Sequence, residues 1–567
     1  MKLVKSLLLG SAAGLCAVAG AQAADLPMRA AAPVEYVRVC TAHGAGFFYI
    51  PGTDTCIRIG GRARFSYQYM SSHANGTNIY GQQGGQVGAD NSAYQSLAFF
   101  NVDSRTSTAY GTLRTFLRIQ AAYSSGGYLT SGSSQRYGES FMAMGQDTYG
   151  RANTTMFLDK AFIQFAGITA GKAGSFFDFY AHDLEFYGAT AGSDVSSTNL
   201  LAYTATFGNG WSATISMEDP TLRRQPIFAD QVWSGTSATS ISGSPLLSQL
   251  GGVFTASIPY AFNAQGLPTM VANYDVSQRQ QVPDFVGVIR YDAAWGAAQI
   301  SAASHELRGG QLWTTQTLSY NTTTGLPSLG SGMQGLTAQA AGLPPSMKVK
   351  EAMGWAIQGG LKLNLPQLAT GDVLWLQAAY AEGATMYAGH PARFGGRETL
   401  GNNYGGRFAV STVDSFLGTD GKQHLTEAWS ITGAFLHYWA PEWRSAVFGS
   451  YGEVSFGKGA RGNGPYGLTF DATASNAVVG FNTVAYSAAL RDYSTSVVGA
   501  NLIWSPVKDL DIGLEAIYTR VDLKNGRTTD LTAGSVALGN TLGNALPAKT
   551  AKSDDVWSVR MRVQRDF

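Results

Sequence analysis

Arginine is the side chain whose spacing stands out in this sequence. Arg58, Arg62 and Arg64 share one parity of an alternating run, while Ile57, Ile59, Ala63 and Phe65 take the other. Arg114 and Arg118 repeat the spacing further along, and Arg560 and Arg562 repeat it near the last residue. A guanidinium is always charged and carries five donors. A strand face built from such residues therefore meets water, carboxylates or anions rather than an apolar core.

Other chemistries lack their constellations. The seven histidines are scattered, with no HExxH or CxxC spacing, so no metal or cofactor site is expected. A hydrolase would need a nucleophile and a base at one height. His437 lies on a strand, but its parity groups it with Trp429, Ile431 and Phe435, an interfacial setting. GKGARG at 457–462 fits GxGxxG in form, yet it opens no visible helix and has no phosphate-binding context. The glycosylation-type triplets at Asn75 and Asn153 carry no weight in a bacterial-type chain. No catalytic, cofactor-binding or metal-binding residue is assigned.

The N-terminus reads as an export signal. Lys2 and Lys5 precede a short apolar run from Leu7 to Gly20, and Ala21-Gln22-Ala23 supplies a cleavage pattern. The run is shorter than the roughly 20 residues a spanning helix needs. The expectation is a signal peptide over 1–23, a periplasmic segment over 24–55 and a barrel over 56–567. Export implies an oxidising compartment, and loss of Cys16 with the signal leaves Cys40 and Cys56, an even pair that predicts a disulfide. Closing that loop contributes roughly 3 kcal/mol by chain entropy.

Charged residues are 14% of the chain, aromatics 12%, and 69 of 567 residues are glycine. Soluble domains carry about 25% charge, so this chain is sparing with it. Formal net charge is only +1, which excludes a strongly basic nucleic-acid-binding surface. Period-2 alternation recurs from Cys56 onward, as in Trp211–Glu218, Trp355–Asn364 and Trp557–Phe567. Turn residues bound sixteen such strands, near 56–70, 97–106, 108–123, 156–166, 168–176, 200–208, 211–219, 285–292, 295–304, 353–364, 371–382, 427–440, 443–456, 494–504, 510–521 and 556–567.

Long and short connections alternate strictly between these strands, with short turns at Thr106-Ser107, Gly167, Asn209-Gly210, Ala293-Ala294, Pro366–Thr370, Ala440–Glu442 and Ser505–Asp509. Trp211, Trp295, Trp439, Trp443 and Trp504 all stand beside short turns, as an interfacial belt requires. The predicted class is all-β: a transmembrane antiparallel barrel of 16 strands in outer-membrane lipid, with short periplasmic turns and long extracellular loops. Its parity places Arg58, Arg62, Arg64, Arg114, Arg118, Arg560 and Arg562 on one basic quadrant of the wall, since charge on the lipid face would cost roughly 2–4 kcal/mol at mid-bilayer.

Several long blocks carry a family resemblance. They are PVEYVRVCTAHGAGFFYIPGTDTCIRIGG at 33–61, VDSRTSTAYGTLRTFLRIQ at 102–120, AFIQFAGITAGKAGSFFDFY at 161–180, LAYTATFGNGWSATISMEDP at 201–220, NLIWSPVKDLDIGLEAIYTRVDL at 501–523 and VRMRVQRDF at 559–567. In these the chain resembles the alphaproteobacterial general porins. It departs from them in loops 220–284, 305–352 and 383–426, which are longer. The resemblance implies a homotrimer whose third long loop folds into the lumen. That loop follows Phe176–Tyr180 and carries Asp178, Asp183, Glu185 and Asp194, with His182 as its one possible base. An acidic loop facing a basic wall creates a transverse field that orients dipolar solutes.

The implied function is passive diffusion of small hydrophilic solutes and ions. A substrate-specific channel is the first rival, and Phe116, Phe162 and Trp375 have the lumen parity that an aromatic track would need. A membrane-embedded hydrolase lacks an assembled nucleophile and base. An adhesin-like barrel is compatible with the long Gly, Ser and Thr loops.

Overall fold

The computed structural model describes residues 38–71, 91–125, 152–225, 280–309, 350–390, 422–457, 490–530 and 549–567, with shorter stretches between 227 and 417 and between 535 and 547. The expected signal peptide, residues 24–37, Asn75 and nearly all of GKGARG lie outside the described residues.

Sixteen antiparallel strands close on themselves. In chain order they are β1 (Thr55–Met70), β2 (Ser92–Thr108), β3 (Gly111–Ser125), β4 (Ala152–Phe165), β5 (Ile168–Ala173), β6 (Thr198–Gly208), β7 (Trp211–Glu218) and β8 (Asp284–Ala293). They continue as β9 (Gly296–Leu307), β10 (Ala352–Asn364), β11 (Val373–Glu382), β12 (Glu427–Ala440), β13 (Trp443–Ser455), β14 (Tyr493–Val507), β15 (Leu510–Leu523) and β16 (Ser553–Asp566). Each pairs with its sequence neighbour, and β16 returns to β1 through Arg62↔Asp566 to Met70↔Ser558. Closure leaves no unpaired edge, which hydrocarbon would not tolerate. Among the described residues no helix is long and apolar enough to cross a membrane.

Alternation sorts the two faces as the residues require. Phe65, Ile215, Ile300, Ile431, Val447, Val498 and Leu514 are exposed on the outside, while Ser66, Gln68, Ser216, Gln299, Gln358 and Glu515 are buried inside. Trp211, Trp295, Trp439, Trp443 and Trp504 are all exposed near the short-turn end, and Trp443 stacks on Trp504 with ring centroids 5.8 Å apart. Turn positions differ by up to three residues from those the alternation suggested, and the turn expected at Ser505–Asp509 narrows to its last two residues. Strands β2 and β3 meet at Ala109-Tyr110 and not Thr106-Ser107, and β14 and β15 meet at Lys508-Asp509. Strand β2 runs on because Thr106, Ser107 and Thr108 pair in the ladder with β3, whereas β14 continues past Trp504 through a register shift to Val507.

One strand breaks parity. The β3–β4 register shifts between Arg118 and Ile119, leaving Asp159 as an extra residue on β4. Met156 and Leu158 face out before this bulge and Ile163 faces out after it. The extra residue changes parity between the two halves of the strand, so Asp159 and Phe162, of opposite parity, both face inward, an outcome simple alternation cannot give.

The chain divides into two compact units, 1–58 and 59–567, with the division falling inside β1. In the first, Cys40 and Cys56 are disulfide-bonded with Cα atoms 6.0 Å apart. Phe48–Tyr49 pairs with Ile57 and Cys56, and Phe47 packs against the two cysteines. In the second, the fourth and fifth long loops contribute a small separate sheet (Thr255–Phe262, Pro268–Asp275, Leu312–Tyr320 and Pro327–Leu329).

Candidate pore constriction

The third long loop, residues 174–197 between β5 and β6, is seated inside the barrel by side chains of many strands. At its start, Glu218 of β7 accepts from Ser175 Oγ at 2.6 Å and from the Phe176 amide at 3.0 Å. Gln299 and Ser301 of β9 and Gln358 of β10 all donate to the Phe177 carbonyl. Gln377 of β11 accepts from the Tyr180 amide at 3.0 Å. Farther round, Asn501 of β14 donates to the Leu184 carbonyl and Glu515 of β15 accepts from the Phe186 amide at 2.7 Å. Thr432 of β12 donates to the Ala191 carbonyl, and Ser450 of β13 accepts from the Ala191 amide. Buried polar side chains are costly unless paired, so these lumen residues fix the loop as much as the loop satisfies them.

The loop acids have unequal surroundings. Asp178 is buried and accepts from Ser193 and from the Val195 amide, and it pairs with Arg223 at 3.0 Å. Glu185 accepts from the Ala189 and Thr190 amides and from Thr190 Oγ1, closing its own turn. Asp194 faces His182 at 3.3 Å. Asp183 is the one that water reaches freely. Protein around it still desolvates the carboxylate, and this raises its pKa above the ordinary value, with His182 and Lys362 offsetting only part of the effect.

The arginines are divided in the same way. Arg62 lies 2.5 Å from Asp566, Arg114 3.0 Å from Asp103, and Arg118 3.5 Å from Asp159. Asp103 also holds Arg105 at 2.9 Å. Arg64 reaches Gln95 at 3.5 Å. Arg560 is buried, donates to Gln68 and lies 4.2 Å over the Tyr187 ring. Arg562 donates to the Phe186 carbonyl and stacks on its ring at 4.4 Å. These last two therefore also seat the loop. Arg58 falls in the first compact unit, where its guanidinium lies over Phe47 at 5.2 Å.

A cavity of about 300 Å3 remains between the loop and the wall. Asp183 and Glu185 line it from the loop; Arg62, Arg64, Arg444, Arg562 and Asp511 line it from the strands, with Arg444 2.6 Å from Asp511. The loop side of this cavity thus carries only carboxylates, and the wall side four guanidiniums to one carboxylate. The aromatics of lumen parity do not form an open track. Phe116 and Phe162 stack at 5.3 Å beneath the guanidinium of Arg114, and Trp375 lies under Phe179 and Tyr180 of the loop. His437 pairs with Asp372 at 2.7 Å beside Trp439, near a short turn.

Sequence reasoning missed Arg223, Asp103, Asp159, Arg444 and Gln377. Asp103 and Arg444 have lumen parity and could have been read from alternation. Asp159 was hidden by the bulge, and Arg223 lies in a loop, where no periodicity applies.

A closed barrel with an apolar exterior and a charged lumen narrowed by its own loop defines an outer-membrane pore protein. The chain belongs to the porin family: the model of the porin subfamily matches residues 25–557. A porin Omp2b of Brucella suis is 31% identical over 388 residues, covering 66% of this chain and 84% of that protein. One of Brucella neotomae is 36% identical over 224 residues, covering 38% and 54%. Among solved structures, the outer membrane channel DcaP of Acinetobacter baumannii aligns over 92% of this chain and 99% of its own, with a TM-score of 0.48 at 11% identity. The anion-selective porin of Comamonas acidovorans aligns over 90% and 100%, with a TM-score of 0.36 at 8% identity. The protein is an outer-membrane channel for passive diffusion.

Proposed function

We propose that this porin sorts small hydrophilic solutes and ions by a transverse field at its constriction. In this reading Asp183 supplies the negative pole and Arg62, Arg64, Arg444 and Arg562 the positive one. The observation that carries it is their meeting around one cavity, while Asp178 is paired with Arg223, and Glu185 and Asp194 are engaged within the loop. A fixed field across a narrow section favours solutes that can align a dipole and weights the passage of ions. No step of bond making or breaking enters this reading. The assembly is read as a homotrimer, the state expected of general porins. Residues 1–23 are read as the export signal, and residues 24–55 as a short periplasmic segment closed by its disulfide.

Recording from purified protein in planar bilayers tests the field. Asp183→Asn should move the reversal potential in a salt gradient toward anions while leaving the folded barrel intact. An unchanged reversal potential would remove Asp183 from the constriction.

A further inference from the structure

The described residues of the sixth long loop (383–390, 407–408, 410, 412–417 and 422–426) also enter the barrel. Tyr387, Ala388 and His390 are fully buried, and Phe408, Val410, Val413 and Phe416 join Phe177, Tyr187 and Tyr387 in one apolar cluster. Wall residues hold it from several strands. Ser430 of β12 donates to the Ala388 carbonyl at 2.7 Å, and His390 donates to the Trp429 carbonyl at 3.0 Å. Thr412 bonds the Tyr493 hydroxyl of β14, and the Arg407 amide donates to Asp554 of β16. Its Asp414 accepts from Thr385 and from the Gln225 amide of the fourth loop. The described residues of this loop thus contact wall strands from β12 to β16.

It also rests on the constriction loop. Arg223 of the fourth loop stands between them, buried, donating to Ser175 at 2.7 Å, Ser193 at 2.6 Å and Asp178 at 3.0 Å. Its guanidinium lies 3.9 Å over the Tyr387 ring, whose hydroxyl donates to Asp284 of β8 at 2.6 Å. Tyr387 meets Phe177 edge to face at 4.6 Å. Gly389 has φ +80°, and a Cβ there would fall 1.9 Å from the Gly192 nitrogen. The two backbones touch, and only glycine permits it.

We propose that the width of this channel is set by two inserted loops and not one. The sixth loop is a second size-determining element, and Arg223 is the positioning residue that locks it to the constriction loop. This rests on the third loop's forming the constriction, but it concerns size and not charge. Uncharged solutes therefore test it independently of the field at Asp183.

Liposome swelling with neutral sugars of increasing size reads the exclusion limit, and heat-modifiable gel migration reports folding. Arg223→Ala should admit sugars that the native protein excludes, and should replace a steady single-channel level with fluctuating ones. Because that change leaves Asp178 buried without its partner, the neutral pair Arg223→Met with Asp178→Asn provides a second route. Gly389→Val tests the contact from the sixth loop and should shift the limit in the same direction. Folded Arg223 variants that keep the native exclusion limit and a steady conductance would overturn the proposal. So would a folded Gly389→Val with native exclusion, since the sixth loop would then be inert.

Discussion

At the scale of single residues, partners and not sequence position decide what the loop carboxylates do. Asp178 is bound to Arg223, Ser193 and Val195, whereas Asp183 faces the cavity. Removing one member of a buried pair costs about 3–5 kcal/mol, so Asp178→Asn should lower the temperature at which the barrel unfolds on gels, and Asp183→Asn should not. The pH dependence of selectivity follows from the direction of the Asp183 shift. Desolvation raises its pKa, so the folded state holds the proton more tightly than the unfolded chain does. Its contribution to stability is therefore fullest at low pH and is lost as pH rises through the folded-state pKa. Lowering the pH should neutralise Asp183 while ordinary carboxylates stay ionised, and acid at this residue should not loosen the loop. Reversal potentials across a pH series should drift toward anions early in wild type, and Asp183→Asn should lack that early drift.

At the scale of elements, parity fixes the faces and packing fixes the loop. Ala63 stands opposite Arg565 near the short-turn rim, so a cation is already tolerated at that height. Deeper positions discriminate better. Leu514 of β15 lies between Leu502 and Met561, and all three are exposed on the outer face. An arginine there should cost roughly 2–4 kcal/mol, so Leu514→Arg should insert poorly into lipid. Arg64→Ser changes a lumen side chain that reaches Gln95 and should fold normally with altered conductance. Normal insertion of Leu514→Arg would mean that β15 presents its other face to lipid. Packing of the loop depends on Gly360, since a Cβ there would sit 2.1 Å from the Phe179 ring. That ring needs the space, which is why β10 presents a glycine beneath it.

At the scale of the whole molecule, residues 1–58 and 59–567 are separate compact units. The Cys40–Cys56 disulfide lies wholly in the first. Replacing both cysteines by serine should therefore weaken that unit by roughly 3 kcal/mol and leave the barrel conducting. Limited proteolysis should cut the variant within residues 38–58 under conditions where the native protein resists. Loss of barrel assembly in the variant would show that the disulfide supports the barrel itself.

All sixteen strands were legible in the sequence because alternation, turn chemistry and tryptophan placement agree locally, and a barrel is built from neighbouring strands. The disulfide was legible because export leaves only two cysteines. Parity alone led to a basic wall of Arg58, Arg62, Arg64, Arg114, Arg118, Arg560 and Arg562, a role that the recordings proposed above would test. What the sequence could not give depends on contacts between distant segments. Asp159 and Phe162 share the inner face only through a single extra residue, and Arg223 finds Asp178 and Tyr387 from a loop without period. Whether a long loop hangs outside or fills the lumen depends on cavities, glycine contacts and buried amides supplied by many strands. Those contacts exist only after the barrel has closed, so only the tertiary structure brings Asp183 to the cavity and the described residues of the sixth loop against the third.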